Sequence, residues 1–237
     1  MPARFLKFWT EDRSLTALLI LLAVNLLVLS PMSRLGKIIR PLSDVSLIML
    51  LLAGILTMGR HGLFRIVSIG VVVLTVIMRT MDIFLDFPWL AVTELALTSV
   101  CFALILCVVA RMVYGEGEVT GHRIRGAIAL YLLIAAFFTA LYTLLETVSP
   151  GAFRLPDYWQ EGSRIKDVLA YFSFVTMTTV GYGDVTAVHP FARSLAMFEA
   201  LIGQLYPAIL LARLVSLYTD TSRSGERGGS GKTPSGE

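Results

Sequence analysis

The sequence predicts an all-α membrane protein: six transmembrane helices, with a re-entrant helix and loop between the fifth and sixth. Three observations predict it. Hydrophobic residues make up 56% of the chain and charged residues 16%, against roughly a quarter charged in soluble domains. One soluble core cannot bury that excess. The apolar residues gather into six runs, most of them approaching the roughly 20 residues a helix needs to cross the hydrocarbon. Between the last two runs lie a shorter amphipathic stretch and a glycine-bearing polar loop.

The elements follow in order. Residues 1–14 carry Phe5, Phe8 and Trp9 among mixed charges, a composition suited to an interfacial helix. The first run, 15–32, is too long for a signal-peptide core and has no small-x-small cleavage pattern; it is expected to remain as a span. The second, 45–58, is short, so its ends extend into the flanks. The third and fourth cover 63–85 and 89–113, the fifth 124–148 and the sixth 191–218. Breakers separate them, among them Arg40-Pro41, Pro88 and Ser149-Pro150-Gly151. No long repeat is apparent.

Several function classes lose support at once. The basic residues stand in short clusters between apolar runs, as membrane-flanking charges do, so nucleic acid is not an expected partner; the lipid bilayer is. Cys101 and Cys107 both lie within the fourth run. On a helix they stand about 9 Å apart along the axis, too far to bridge. His61, His122 and His189 are widely separated, and no constellation of His, Cys, Ser or carboxylates suggests an enzyme or a resident cofactor. In the tail, Gly228 to Thr233 superficially looks like a phosphate-binding loop, but Glu226 stands where that motif needs its first glycine.

The loop is Thr179-Val180-Gly181-Tyr182-Gly183. It resembles the selectivity filter of potassium channels, and the resemblance extends to Thr178, which doubles the threonine, and to Asp184 directly after. The likeness is to the pore superfamily that includes voltage-gated-like and two-pore-domain-like channels. It implies that carbonyls of Thr179, Val180, Gly181 and Tyr182 bind K+, with Gly183 completing the loop. The preceding helix, 166–178, would serve as pore helix, its partly negative C-terminal end towards a central cavity. Asp167 reads as a simple cap at its start.

Support behind the filter departs from the family. Tyr171 and Phe172 stand where many relatives have paired Trp, so Asp184 loses the indole N–H that usually holds it. Val175 occupies the position where some relatives carry a buried Glu. In the last run, Gly203 lies at the offset where such channels bend, and Pro207 removes a backbone hydrogen bond one turn later, making both hinge candidates; the alternative for Gly203 is close helix packing. Glu199, a carboxylate inside a span, is expected to face protein or water, bonding the back of the pore helix rather than the cavity. Leu210, Leu211, Leu214 and Val215 are candidates for a hydrophobic constriction.

The resemblance divides the chain into 1–14, a voltage-sensor-like unit at 15–114, a pore domain at 115–218 and a disordered cytoplasmic tail at 219–237. A voltage sensor needs repeated basic residues on its fourth span, and that run carries Arg111 alone. Steep voltage gating is therefore not expected. A sparse polar set remains: Asn25, Arg79, Asp82, Asp86 and Glu94. Arg79 and Asp82 form an i,i+3 pair able to neutralise itself; the set serves as anchors or as a small site for pH or ligand.

The expectation is a homotetramer in the cell membrane, multi-pass, with cytoplasmic termini and no soluble ligand-binding domain. Its function would be passive, K+-selective permeation, no reaction being catalysed. The alternative is a non-conducting or ligand- or pH-gated membrane sensor that retains the pore fold.

Overall fold

The computed structural model describes residues 14–29, 45–51, 53, 62–84, 87–115, 121–156 and 165–229. Helix α1 spans Ser14–Ala23 and continues as a wider π-helical turn over Val24–Leu29. Residues 45–51 form α2. Then come α3 (Gly62–Phe84), α4 (Pro88–Tyr114), α5 (Gly121–Val148), α6 (Ile165–Met177) and α7 (Pro190–Gly229). Among the described residues the strands β1 (Phe153–Arg154) and β2 (Thr186–Ala187) are the exception to an otherwise helical plan.

Among the described residues, three helical segments are long and apolar enough to cross a membrane: Trp89–Tyr114, Arg123–Val148 and Pro190–Arg213. Leu15–Leu29 and Ser68–Met81 are shorter apolar helices. The boundaries follow local chemistry. Pro88 opens α4 after an extended Phe87, a position where its missing N–H costs nothing. At the end of α5 the chain turns through Gly151, whose φ of 85° suits glycine. The Glu146 carboxylate accepts from the amides of Gly151 (2.8 Å) and Phe153 (3.0 Å), holding that turn closed.

Helix α5 is the hub, in contact with α1, α4, α6 and α7. Its buried face is rich in alanine (Ala127, Ala129, Ala135, Ala136 and Ala140), and small residues let helices approach closely where no hydrophobic force separates helix from lipid. The core runs continuously from Leu15, Leu18 and Leu22 through Ile105 and Leu133 to Leu169 and Met177.

One expectation needs correction. The chain does not leave the helix at 219: α7 continues to Gly229. Residues 219–224 contain neither Gly nor Pro, and extending an existing helix costs far less than starting one. Arg79 pairs with Glu94 on the neighbouring α4 at 2.7 Å, the two helices lying side by side; the expected pairing with Asp82 lies outside the described side chains. The 1–13 segment, the second half of the second run, Asp86 and residues 230–237 likewise lie outside the described residues.

Candidate functional site

Helix α6 ends at Met177, and the chain reverses at once into the 178–183 loop. Backbone handedness alternates along it. Thr179 has φ 60°, Gly181 φ 56° and Gly183 φ 78°, while Val180 and Tyr182 keep ordinary negative φ. The amides are bonded back to α6: Thr179 N–H donates to Thr176 O (3.0 Å), and Val180 and Gly181 N–H both donate to Val175 O (3.0 and 3.2 Å). Among the described residues, the carbonyls of Thr179 to Tyr182 receive no donor. Glycine is needed at 181 and 183 because a side chain resists positive φ; Thr179 is the β-branched residue that adopts it regardless, a strain worth noting at a site.

The expected support residues take unexpected roles. Val175 acts through its carbonyl rather than its side chain. Thr178 Oγ1 donates to Phe174 O at 2.6 Å, closing the end of α6. Tyr171 stacks on Tyr182 with nearly parallel rings, 6.5 Å between centroids. Phe172 is buried in an edge-to-face cluster with Tyr142 and Phe153, all three centroid distances being 5.2–5.3 Å. Asp184, lacking an indole, accepts from its neighbour's amide, Val185 N–H, at 3.0 Å.

Behind α6 stands the group that sequence reasoning placed only in outline. Glu199 is fully buried. One carboxylate oxygen accepts from Ser173 of α6, and the other accepts from Tyr142 of α5 at 2.6 Å. Three helices therefore meet on one carboxylate, and both its oxygens are satisfied, as a buried charged or polar group requires. Glu199 thus bonds α6, the helix expected to serve as pore helix. Tyr142 was missed; nothing in its apolar setting marks it as the second donor.

Gly203, one turn further along α7, is a close-approach residue. A Cβ there would stand 2.1 Å from the Met177 carbonyl oxygen. The packing alternative thus accounts for this glycine, and α7 runs on through Pro207 as one helix. Tyr206 O–H donates to Ala127 O (2.7 Å) and its ring leans on Tyr131 (5.6 Å), fixing α7 to α5. Lower still, Arg213 donates to Tyr114 O (2.9 Å) and Gly115 O (3.0 Å) and lies over the Tyr114 ring. A cation is favoured against helix-terminal carbonyls, so α7 is tied to the end of α4. Leu211 and Val215 are exposed and Leu210 half-buried; the Leu214 side chain lies outside those described.

The loop was found by its five letters; the strand pair behind it was not. Phe153 pairs with Ala187 and Arg154 with Thr186, while Val188 and His189 N–H donate to Ala152 O (2.8 and 3.1 Å). This two-residue ribbon ties the chain before α6 to the chain after the loop. Two-residue strands carry no periodicity to read.

Residues 126–220 match the ion channel family, the segment from α5 through α6 and the loop into α7. Two curated proteins are similar over part of this region. Protein LctB from Geobacillus stearothermophilus is 36% identical over 81 residues, which cover 33% of this chain and 59% of that protein. Protein LctB from Bacillus caldotenax is 33% identical over 88 residues, covering 36% of this chain and 64% of that protein. The chain thus spans less than two thirds of either relative. No solved structure matches. The match supports an ion channel embedded in a lipid bilayer.

Proposed function

We propose that this chain is one subunit of a potassium-selective channel, a homotetramer conducting K+ passively down its electrochemical gradient. The observation that carries the reading is the alternating backbone of Thr179 to Gly183, with the amides of Thr179 to Gly181 bonded back to α6 and the carbonyls of Thr179 to Tyr182 without a donor among the described residues. A dehydrating K+ needs replacement oxygens, and rings of carbonyls supply them. One loop gives a quarter of each ring, so four chains complete it. The same loop takes up the ion-binding roles of Thr179, Val180, Gly181 and Tyr182, with Gly183, Thr178, Asp184, Tyr171 and Phe172 holding its shape.

The surface of α7 supports assembly. Its apolar segment Pro190–Arg213 is only 17% buried within one subunit, against 56% for Arg123–Val148. Phe191, Met197, Phe198, Leu201 and Leu205 are all exposed within one subunit, an apolar surface open to packing by neighbouring subunits. On this reading the chain has six spans, α1 to α5 and α7, with α6 and the loop re-entering from outside and both termini in the cytoplasm. The leading unit, 15–114, lacks the charges of a voltage sensor, so conduction is not steeply voltage-gated.

Reconstitution tests it. Purified chain in liposomes with a potassium gradient should pass K+ well in excess of Na+, in a barium-sensitive manner. Gly181→Ala should abolish selective flux while leaving an inserted tetramer, because its φ of 56° is costly for a side chain by about 1–2 kcal/mol per subunit. Absence of K+ flux from the wild-type chain under every ionic condition would remove the reading, and unchanged selectivity in Gly181→Ala would remove the assignment of the loop.

A further inference from the structure

Between the leading helices and α6 lies a partly open cavity of about 70 Å³. Its walls come from α1 to α5 and from the first turns of α6. Most of the lining is apolar, with Leu26, Leu50 and Phe102 representative. Charged groups from two sources meet at it, Arg79 and Glu94 from the leading helices and Lys166 and Asp167 from the start of α6. Apolar walls with a few convergent polar groups are what small-molecule sites have in common.

The polar groups narrow the ligand. The formal charges of those four side chains cancel, so the cavity favours no net charge. Glu94 is only 10% exposed. Its two donors, Arg79 Nη1 (2.7 Å) and Thr98 Oγ1 (3.2 Å), both reach Oε1, and among the described residues no donor reaches Oε2. Oε2 thus keeps its lone pairs open to a donor from an occupant of the cavity. The nearby threonines do not help: Thr139 and Thr143 spend their protons on the carbonyls of Ala135 and Thr139 (2.8 and 2.7 Å). An ammonium in that place would stand against the Arg79 guanidinium, which already neutralises the carboxylate. A neutral hydroxyl would not.

We propose that this cavity binds an uncharged amphiphile, an apolar body bearing a hydroxyl that donates to Glu94 Oε2. The occupant lies against Lys166, Asp167 and Ala170 of α6, the helix whose far end carries the loop. It therefore touches the leading unit and the pore helix at once. Binding does not depend on the permeation reading; only its effect on flux does.

The probe is 1-decanol, with a diazirine-bearing decanol for labelling the full chain in phosphatidylcholine vesicles. Peptide mapping by mass spectrometry should place adducts on segments around 22–26, 47–50, 95–102 or 166–170. 1-Decanol should suppress them about tenfold or more better than its methyl ether, the difference expected for one hydrogen bond to a charged acceptor. Decyltrimethylammonium should compete no better than the ether. Leu95→Trp and, separately, Ala140→Leu fill the cavity while leaving Arg79 and Glu94 in place, and should remove the adducts. Adducts elsewhere, or equal competition by alcohol and ether on the wild-type chain, would overturn the site. Specific labelling without potassium flux leaves the site standing and removes the permeation reading; flux with unspecific labelling does the reverse.

Discussion

Two buried carboxylates divide this molecule. Glu199, behind the loop, has each oxygen matched to its own donor, Ser173 to one and Tyr142 to the other. Glu94, among the leading helices, has both donors on one oxygen and none on the second. The same contrast recurs in the neutral groups. Tyr206, Ser173 and the loop amides all find acceptors in the pore region. In the leading region Ser46 Oγ is buried without a partner among the described residues. Satisfied buried polar groups fix one arrangement, whereas unmatched ones leave room for change or for a ligand. A loop that must hold oxygens at an ion's radius needs the first kind. A unit that responds to something needs the second.

The largest test of that contrast uses one substitution in two places. Gly203→Ala would drive a methyl group to 2.1 Å from the Met177 carbonyl at the end of α6. Neither backbone can yield without moving the loop, so the cost is at least the 1–3 kcal/mol of an overpacked core, and selective flux should be lost. Gly70→Ala in α3 meets nothing within 4 Å and should leave flux and thermal midpoint unchanged or slightly improved. Equal tolerance at both sites would mean that α7 and α6 are not packed as described.

The next test makes one carboxylate resemble the other. Tyr142→Phe removes the phenolic donor at 2.6 Å and leaves Glu199 bonded on one side only, as Glu94 is. A buried acceptor deprived of its donor costs about 1–3 kcal/mol. The expected outcome is a lower unfolding midpoint in detergent together with a reduced K+/Na+ flux ratio, since α6 loses one of its anchors. A lowered midpoint with an unaltered ratio would confine the network to folding.

How much of this was legible beforehand follows the kind of signal each feature leaves. Five helices were readable because apolar runs bounded by proline and glycine leave little freedom in lipid, and Thr179 to Gly183 was readable because its chemistry demands glycine at fixed places. Glu199 could be found as a charge in a span, and its direction guessed. Tyr142, Ser173 and Arg213 could not be assigned, because their partners lie 57, 26 and 99 residues away in sequence and each residue type is unremarkable where it stands. The bond from Arg79 to Glu94, 15 residues away, went unassigned for the same reason. Spacing along one helix proposes i,i+3 partners, but a helix hairpin offers a second set that only the packing reveals.

Arg213 joins the two regions and offers a smaller effect. Its guanidinium donates to the carbonyls of Tyr114 and Gly115, at the end of the leading unit, and it is only half-buried, so Arg213→Gln should cost no more than about 1 kcal/mol in stability. What should change is coupling. Steady flux through the variant is expected to differ from the wild type while K+/Na+ selectivity stays the same, because the loop's own bonds are untouched. A shift in selectivity would contradict the separation of the two regions.

The smallest expected effect is also the one with an unusual sign. Ser46 and Ser173 are both buried, and alanine removes the same single oxygen from each. At 173 the hydroxyl meets both the Glu199 carboxylate and the Ala135 carbonyl, the latter at 2.9 Å, so its loss strips a buried acceptor and should destabilise by about 1–2 kcal/mol. At 46 nothing is lost, since Ser46 Oγ has no partner among the described residues. Removing an unsatisfied buried hydroxyl ends its desolvation cost, and alanine is the better helix former, so Ser46→Ala should raise the thermal midpoint slightly. Paired unfolding curves in one detergent read both. If Ser46→Ala destabilised as much as Ser173→Ala, the hydroxyl at 46 would have an acceptor, and the leading unit would be as closely bonded as the pore.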